Sequence, residues 1–152
     1  MTWRRIVLSA ALAATALTSY AIAAPKAKKG KAPTPEQLAE GQKIFSTICI
    51  ACHRADGTGM PNMFPPLAKS DFLMADKERS IRIVINGLQG PVVVNGNKFN
   101  QVMPPLGTQF KDDQIAAVLS YVRNSFGNSG EGVTAEEVAK VRAAGGTASG
   151  TK

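Results

Sequence analysis

The sequence predicts an all-α domain that carries one small β-hairpin. Apolar residues recur at helical spacing in several separate stretches, and helix-capping residues precede them. The clearest strand signal is the β-branched run of residues 92–94, which Asn95-Gly96 follows in the manner of a two-residue hairpin turn. Both cysteines and the only histidine of the 152 residues lie in one short stretch after the first predicted helix.

The first helix is predicted to begin after Thr34, which is a suitable N-cap, with Pro35 in the first helical position. Gln37 would complete a capping box with Thr34. An apolar stripe then follows at helical spacing: Leu38, Gly41, Phe45, Ile48 and Cys49. Glycine inside a helix costs about 1 kcal/mol relative to alanine. Close approach of another helix would be a packing reason for Gly41, and an ordinary surface glycine is the alternative.

Three further helices are predicted after the cysteines. The first covers about residues 76–86 and ends at Gly87 and Gly90; its apolar side holds Ile81, Val84, Ile85 and Leu88. The next covers about residues 111–125 and stops before Gly127; it has Asp112 and Asp113 at its start, and its stripe holds Ile115, Val118, Leu119 and Val122 beside Tyr121. A short last helix begins with a second capping box, formed by Thr134 and Glu137, before Val138 and Val141.

The stretch Cys49-Ile50-Ala51-Cys52-His53 predicts covalent attachment of one haem c. Two thiols at this spacing can each add to one vinyl group of a haem, and the histidine that follows can then donate a ring nitrogen to the iron. Two other kinds of site use similar residues. A thioredoxin-like redox pair needs a βαβ context that the pattern does not predict, and a structural zinc site needs about four ligands where this sequence has three.

Residues 1–23 are predicted to be a secretory signal peptide. Arg4 and Arg5 precede an apolar run over residues 6–17, and Ala21-Ile22-Ala23 is a small-residue cleavage pattern. An uncleaved membrane anchor is the alternative, although the run is shorter than the ~20 residues that a spanning helix needs. Cleavage near Ala23 predicts a soluble protein exported to a bacterial periplasm.

The positive charge is concentrated outside the predicted domain. The whole chain carries a formal charge of +7, and removal of residues 1–23 lowers it to +5. Four of those charges lie in residues 24–33, which we interpret as a basic flexible linker: Lys26, Lys28, Lys29 and Lys31. The body of the domain is therefore close to neutral, which argues against nucleic-acid binding. Any membrane contact is expected through partners or transiently through this linker.

These features together resemble the class I c-type cytochromes over residues 34–128. The resemblance is carried by the haem motif, by its order relative to the helices, and by several further residues: Gly41, Phe45, Gly57-Thr58-Gly59, Phe64-Pro65-Pro66-Leu67, Met103-Pro104-Pro105 and Tyr121. Val118 departs mildly from the family, which often has leucine there. The resemblance implies the class I cytochrome c fold: helices packed around one covalently bound haem, with the first and last helices crossing at Gly41. Residues 129–152 would then form a C-terminal extension with a short helix and a disordered tail.

Met103 is the predicted second axial ligand of the iron. Met60 and Met63 lie within ten residues of His53, so a short loop would have to carry them to the opposite face of the haem. Met74 lies near a predicted helix start and suits the core. Met103 comes after a complete helix and hairpin, and Pro104 and Pro105 stiffen the loop that would hold it. The resemblance also implies that the carbonyl of Pro65 accepts the N–H of the His53 ring.

With His53 and Met103 both bound, the iron has no open position for a substrate. The prediction is an electron carrier rather than an enzyme: a periplasmic mono-haem cytochrome that moves single electrons between redox partner proteins, as a monomer or as a subunit of a complex. The alternatives are a permanent electron-transfer subunit of a periplasmic dehydrogenase or reductase, and a gas-binding haem protein with an open sixth position. The second alternative requires Met103 to stay off the iron.

Overall fold

The computed structural model describes residues 31–146, and the predicted signal peptide lies outside them. Six α-helices and one β-hairpin make up the described part of the chain. In order they are α1 (Pro35–Ile44), α2 (Ile50–His53), α3 (Asp71–Ala75), α4 (Lys77–Asn86), β1 (Val92–Val94), β2 (Asn97–Phe99), α5 (Asp112–Val122) and α6 (Ala135–Ala144). The all-α prediction with a small hairpin is confirmed.

Helices α1 and α5 cross at Gly41, as predicted. A methyl group added at Gly41 would overlap the carbonyl oxygen of Ala117 and would lie 2.7 Å from the Cβ of Tyr121. The two backbones therefore touch at a point where no larger residue fits. Phe45, one turn further along, lies 5.7 Å from the Tyr121 ring and 5.1 Å from the Phe126 ring, which joins the two helices through aromatic contacts.

The first helix begins at Pro35 after the Thr34 N-cap, as predicted, but the rest of its capping box and its end differ from the prediction. Thr34 accepts a hydrogen bond from the backbone N–H of Gln37, but the Gln37 side chain donates to the distant Val133 carbonyl at 2.7 Å. After Ile44 the chain forms one π-helical turn, Phe45–Cys49. The wider turn rotates the following residues, so Ile48 leaves the predicted stripe and is 40% exposed, while Ile44 is buried.

The region between the haem motif and the hairpin contains one helix that the sequence analysis missed. Helix α3 has a Ser70 N-cap and is separated from α4 by Asp76, which is itself the N-cap of α4. Helix α4 ends at Gly87, as predicted, whereas α5 ends at Val122 and thus before the predicted end. A short five-residue helix has too few periodic positions to be recognised from apolar spacing.

The predicted hairpin is confirmed. Its strands pair antiparallel with Val92 opposite Phe99 and Val94 opposite Asn97. Asn95 and Gly96 both have positive φ, at 50° and 77°, as a two-residue turn of this kind requires. Val92, Val94 and Phe99 form a second apolar cluster with residues of α4 and the segment after it.

The last helix packs onto the body of the domain. Val138 and Val141 are buried in the main core, and both partners of the predicted capping box at Thr134 and Glu137 are in place. Ahead of this helix, Ser120 of α5 exchanges hydrogen bonds with the backbone of Val133. Lys31 is also tied in, since its carbonyl accepts from the N–H of Gly132 at 3.2 Å. In residues 31–146, no helix is both long and apolar enough to cross a membrane.

Candidate haem-binding site

One apolar cavity brings together four of the five predicted site residues: Cys49, His53, Pro65 and Met103. It encloses about 850 Å³, counting the part that opens to solvent. The remaining lining residues come mainly from α1, α3, α4, β1, α5 and the loops between them: Ile44, Phe45, Pro66, Leu67, Ser70, Phe72, Leu73, Ser80, Ile83, Val84, Leu88, Val94, Leu106, Phe110, Val118, Leu119 and Val122.

The lining of the cavity contains no Asp, Glu, Lys or Arg side chain among the described residues. Its polar side chains are Cys49, His53, Ser70 and Ser80. Such a wall suits a large, flat, apolar group, and its low polarity strengthens any charge interaction inside it. Sequence analysis did not single out Ser70, Phe72, Ser80, Leu106 or Phe110 as site residues, because helix periodicity marks burial and does not distinguish core from cavity wall.

His53 ends the short helix α2 and lines the cavity. Its Nδ1 lies 3.0 Å from the carbonyl oxygen of Pro65. A carbonyl only accepts, so Nδ1 carries the hydrogen, and in the neutral ring the lone pair is then on Nε2. Burial lowers the pKa of His53, while the bond to Pro65 acts in the opposite direction. The ring is thereby held as a neutral donor with Nε2 available for a metal.

Cys49 and Cys52 occupy adjacent turns of this region, and no disulfide joins them. Burial, followed by the nearby Cys52, raises the pKa of Cys49 to about 11. Before any haem is attached, a thiol with this pKa is protonated at neutral pH. Cys52 is half-buried and is not among the residues that line the cavity. The π-helical turn places Cys49 on the cavity side while Ile48 turns to solvent.

The loop after His53 closes on itself through short-range hydrogen bonds. The N–H of Gly59 donates to the His53 carbonyl at 3.1 Å, and Met60 and Phe64 pair through two backbone bonds of 2.9 Å. The N–H groups of Leu67 and Ala68 both donate to the Gly57 carbonyl. We call residues 49–67 the histidine segment; its contacts bring the Pro65 carbonyl back beneath His53.

Met103 reaches the cavity on a different part of the chain. Its backbone pairs with Leu88 through two hydrogen bonds of 3.0 Å. Further along, Leu106 and Gly107 donate to the carbonyls of Val84 and Ile85, which are among the last carbonyls of α4 and have no partner within the helix. We call residues 103–112 the methionine segment. These two hydrogen bonds attach it to the C-terminal end of α4.

Gly87 allows the methionine segment to approach α4 this closely. Its backbone has φ 75° and ψ −177°, a region that essentially only glycine adopts. A methyl group added there would lie 2.5 Å from the Met103 carbonyl oxygen and 3.0 Å from the Pro105 nitrogen. The glycine thus serves the position of Met103 as well as the end of the helix.

The other described methionines are placed elsewhere. Met60 is part of the paired backbone at Phe64, and Met63 is 46% exposed. Met74 lies in α3, partly buried against the main core. Of these four side chains, Met103 alone lines the cavity with His53.

The residues present fit a covalently held haem. One half-buried thiol, a neutral imidazole with Nε2 available and a thioether line the same apolar space, and a second thiol lies one turn away. Imidazole and thioether are donors that haem iron accepts in electron-transfer proteins. The geometry therefore supplies two sulfurs for attachment, two candidate axial donors and an apolar pocket.

Comparison with known proteins agrees with this site. The family model described as Cytochrome c matches residues 38–126. Cytochrome c-552 of Thermus thermophilus is 40% identical to this chain over 114 residues, which cover 69% of this chain and 86% of that protein. This match spans most of the relative, so the two chains share their principal domain.

Two larger relatives have a different context. The cytochrome c subunit of a quinone alcohol dehydrogenase from Gluconobacter oxydans is 32% identical over 69% of this chain but only 22% of its own length. The cytochrome c subunit of gluconate 2-dehydrogenase from Pantoea cypripedii is 31% identical over 67% of this chain and 24% of its own length. In each of them the matched region is one part of a longer polypeptide.

Proposed function

The chain belongs to the cytochrome c family, and from this premise we propose that Cys49 and Cys52 hold one haem c through two thioethers, with His53 and Met103 as its axial ligands. The protein is an electron carrier with covalent haem c, as are the members of that family. The observation that carries the assignment of residues is the shared cavity, in which Met103 comes together with Cys49 and His53 from a distant part of the chain.

Each side chain has a distinct task in this proposal. Cys49 and Cys52 anchor the group, so it stays in place through repeated turnover. The Pro65 carbonyl, 3.0 Å from Nδ1, orients the His53 ring and makes it a stronger donor. Met103 supplies a thioether, which favours the reduced state and raises the potential. When bound, the haem supplies one-electron exchange between ferric and ferrous iron.

The apolar wall has two effects on this exchange. It keeps water away from the iron, and it disfavours the oxidised form because that form carries one more positive charge in a poorly solvated site. The two axial donors together leave no position for a substrate or a gas. Electron transfer with partner proteins is the activity that this arrangement supports.

We further propose that the protein is exported to the periplasm and that residues 1–23 are removed there. The positive start, the apolar run and the small residues that end at Ala23 support this proposal. N-terminal sequencing of the protein from its native host should give a chain that begins at Ala24. A chain that retains Met1 and is recovered with membranes would instead support the anchor interpretation.

A second candidate is a permanent electron-transfer subunit of a dehydrogenase or reductase complex. The similarity to cytochrome c subunits of two dehydrogenases favours it. This candidate and the free carrier differ in what binds the protein. Purification from the native periplasm under mild conditions should yield either the single chain with its leader removed or a stable larger complex.

The attachment proposal is tested by mass. Denatured protein from an export-competent host should have the mass of the mature chain plus one haem, and the colour should stay with the protein in acidified acetone. Extraction of all haem under these conditions would contradict attachment through Cys49 and Cys52.

The ligation proposal is tested by the sulfur-to-iron absorption band of the oxidised protein in the near infrared. Met103→Ala should abolish this band and lower the potential on the order of 0.1 V, within the ~0.8 V that axial ligands span. Met60→Ala and Met74→Ala are matched controls and should keep both properties. Loss of the band in either control, with its retention in Met103→Ala, would overturn the assignment.

A further inference from the structure

Arg142 of α6 contacts the methionine segment with all of its side-chain nitrogens. Nη1 donates to the Gly107 carbonyl at 2.6 Å, Nη2 to the Phe110 carbonyl at 3.2 Å, and Nε to the Asp112 carboxylate at 2.8 Å. Arg142 lies beyond the residues 38–126 that the family model matches. A residue outside the matched region therefore holds three points of the segment that carries Met103.

Helix α6, which carries the guanidinium of Arg142, is itself held firmly in the fold. Helix α6 buries Val138 and Val141 to 0% and 4% exposure. Its N-terminus is held by the capping box at Thr134 and by Glu137, which also pairs with Lys77 of α4 at 2.6 Å. Asp112 in turn fixes the plane of the guanidinium, since one carboxylate oxygen accepts from Nε.

The contacts of Arg142 bear on Met103 through a stiff connection. Pro104 and Pro105 lie between Met103 and Leu106, and proline fixes one of the two backbone torsions of each residue. Leu106 and Phe110 line the cavity on either side of Gly107. A displacement of the backbone at Gly107 and Phe110 should therefore also displace Met103, because the prolines between them leave few torsions that could absorb it.

We propose that Arg142 is a positioning residue that keeps Met103 on the haem iron by clamping the far end of the methionine segment. This inference rests on the proposed ligation by Met103. The two backbone bonds to Leu88 hold the near end, and the guanidinium holds the far end. Without the clamp, the segment remains folded but Met103 leaves the iron more often.

The test is competition between Met103 and added imidazole in the oxidised, haem-loaded full chain. Imidazole takes the position that Met103 vacates, so its affinity reports how often the segment opens. Arg142→Gln should bind imidazole about tenfold more tightly than the unchanged protein. The reason is that losing one hydrogen bond to a charged group changes an equilibrium constant by about tenfold or more. The near-infrared sulfur band should also fade at a lower temperature, ahead of global unfolding followed by circular dichroism.

Lys77→Gln is the matched control. Lys77 of α4 pairs with Glu137 of α6 at 2.6 Å and with Glu131 of the loop before α6 at 3.4 Å. In the described part of the chain it bonds to no residue of the methionine segment. This variant should keep the imidazole affinity within about twofold of the unchanged protein, because its contribution to opening is indirect. Equal increases in Lys77→Gln and Arg142→Gln would overturn the inference in favour of general loosening of α6.

Asp112→Asn weakens the same set of contacts more mildly. It tests the positioning role of Arg142 if the Arg142→Gln variant does not fold. It should raise imidazole affinity by about threefold, since the charge of one partner is lost while the carbonyl contacts remain. An unchanged affinity in Asp112→Asn and Arg142→Gln, with the sulfur band lost in Met103→Ala, overturns the positioning role alone. A sulfur band that survives in Met103→Ala overturns the ligation and the positioning role together.

Discussion

The histidine segment and the methionine segment meet at one cavity but depend on different parts of the chain. The His53 ring is oriented by Pro65, and the backbone bonds around it join residues at most about a dozen positions apart. Met103 depends on Leu88, on the end of α4 and, through Gly107, on Arg142 of α6. The histidine segment is thus assembled mainly by local contacts, although the Asn128 side chain donates to the Leu67 carbonyl at 2.7 Å from far along the chain. The methionine segment is held in place only when distant helices have packed.

This difference has consequences for stability and for dynamics. Local contacts cost little loop-closure entropy and can form early, while contacts between distant segments form only with the global fold. The methionine segment is therefore expected to leave its folded position first when the protein is heated or denatured. The histidine segment is expected to stay folded longer and to hold the cofactor throughout. The following predictions test this asymmetry, from the largest expected effect to the smallest.

The largest effect is expected from the thiols of the histidine segment. Replacing both Cys49 and Cys52 by serine should eliminate covalent haem and greatly reduce the free energy of unfolding, because an apolar cavity of about 850 Å³ loses the group that fills it. Mass spectrometry and thermal denaturation measure the two effects. Met103→Ala is the control and should keep the haem mass. Haem that stays attached in acid in the double serine variant would contradict the proposal that the histidine segment holds the haem covalently.

The next effect is expected at Gly87, where the methionine segment touches α4. Gly87→Ala should lower the free energy of unfolding by about 3 kcal/mol, since it combines a strained backbone conformation with crowding of Met103 and Pro105. Chemical denaturation and the near-infrared sulfur band would be followed together. The band should weaken at a denaturant concentration below that of unfolding.

Gly90→Ala separates crowding from backbone strain. Gly90 also has a positive φ, of 88°, but a methyl group there would meet nothing within 4 Å. Its cost should be about 1 kcal/mol, with the sulfur band lost only on unfolding. Equal losses in the two variants would mean that the approach of Met103 to Gly87 adds nothing beyond backbone strain.

A smaller effect is expected from two long-range hydrogen bonds between Asp71 and Asn95 of the hairpin turn, which we call the hairpin clip. Asp71 accepts from the backbone N–H of Asn95 at 2.8 Å, and the Asn95 side chain accepts from the N–H of Asp71 at 3.0 Å. Asp71→Ala should reduce the free energy of unfolding by about 1 kcal/mol, which denaturant titration would resolve. Asp71→Asn retains an acceptor oxygen and should lose less. A larger loss in Asp71→Asn than in Asp71→Ala would contradict the clip.

The smallest effect is expected from a local clip in the histidine segment. The Asp56 carboxylate accepts from the hydroxyl of Thr58 at 2.7 Å and from its N–H at 3.1 Å, and these bonds lower the pKa of Asp56. A carboxyl whose pKa is lower in the folded state stabilises that state above its unfolded pKa, and the stabilisation disappears as the pH falls through the folded pKa.

Asp56→Asn should therefore be slightly less stable than the unchanged protein at neutral pH, and the difference should vanish in acid. Denaturant midpoints measured from neutral to acidic pH provide the comparison. A difference that grows as the pH falls would show that the bonds to Thr58 do not favour the charged carboxylate.

Much of the fold was predictable because local signals agreed with tertiary packing. The caps at Thr34 and Thr134, the turn at Asn95-Gly96 and the stripe of α5 all lie where periodicity and capping place them. The prediction was wrong where packing overrode periodicity. The π-helical turn removed Ile48 from its stripe, and the Gln37 side chain bonded to Val133 of a distant loop.

The candidate site shows the same division. The two thiols and the imidazole are adjacent in sequence, as the proposed attachment of one haem and ligation of its iron require, so their spacing alone indicates the chemistry. Pro65 and Met103 were identified with the help of family resemblance. The clamp at Arg142 had no signal in the sequence, since an arginine on a short amphipathic helix looks like any solvated charge.

By itself, the amino-acid sequence determined the elements and the covalent chemistry of this protein: where helices begin, where the hairpin turns, and which residues can capture haem. Those properties depend on neighbours a few positions away, so they can be read from spacing. Only the tertiary structure decided which methionine lines the cavity, what holds it there and how α6 takes part. These depend on contacts between residues far apart in sequence, whose geometry exists only after the helices have packed.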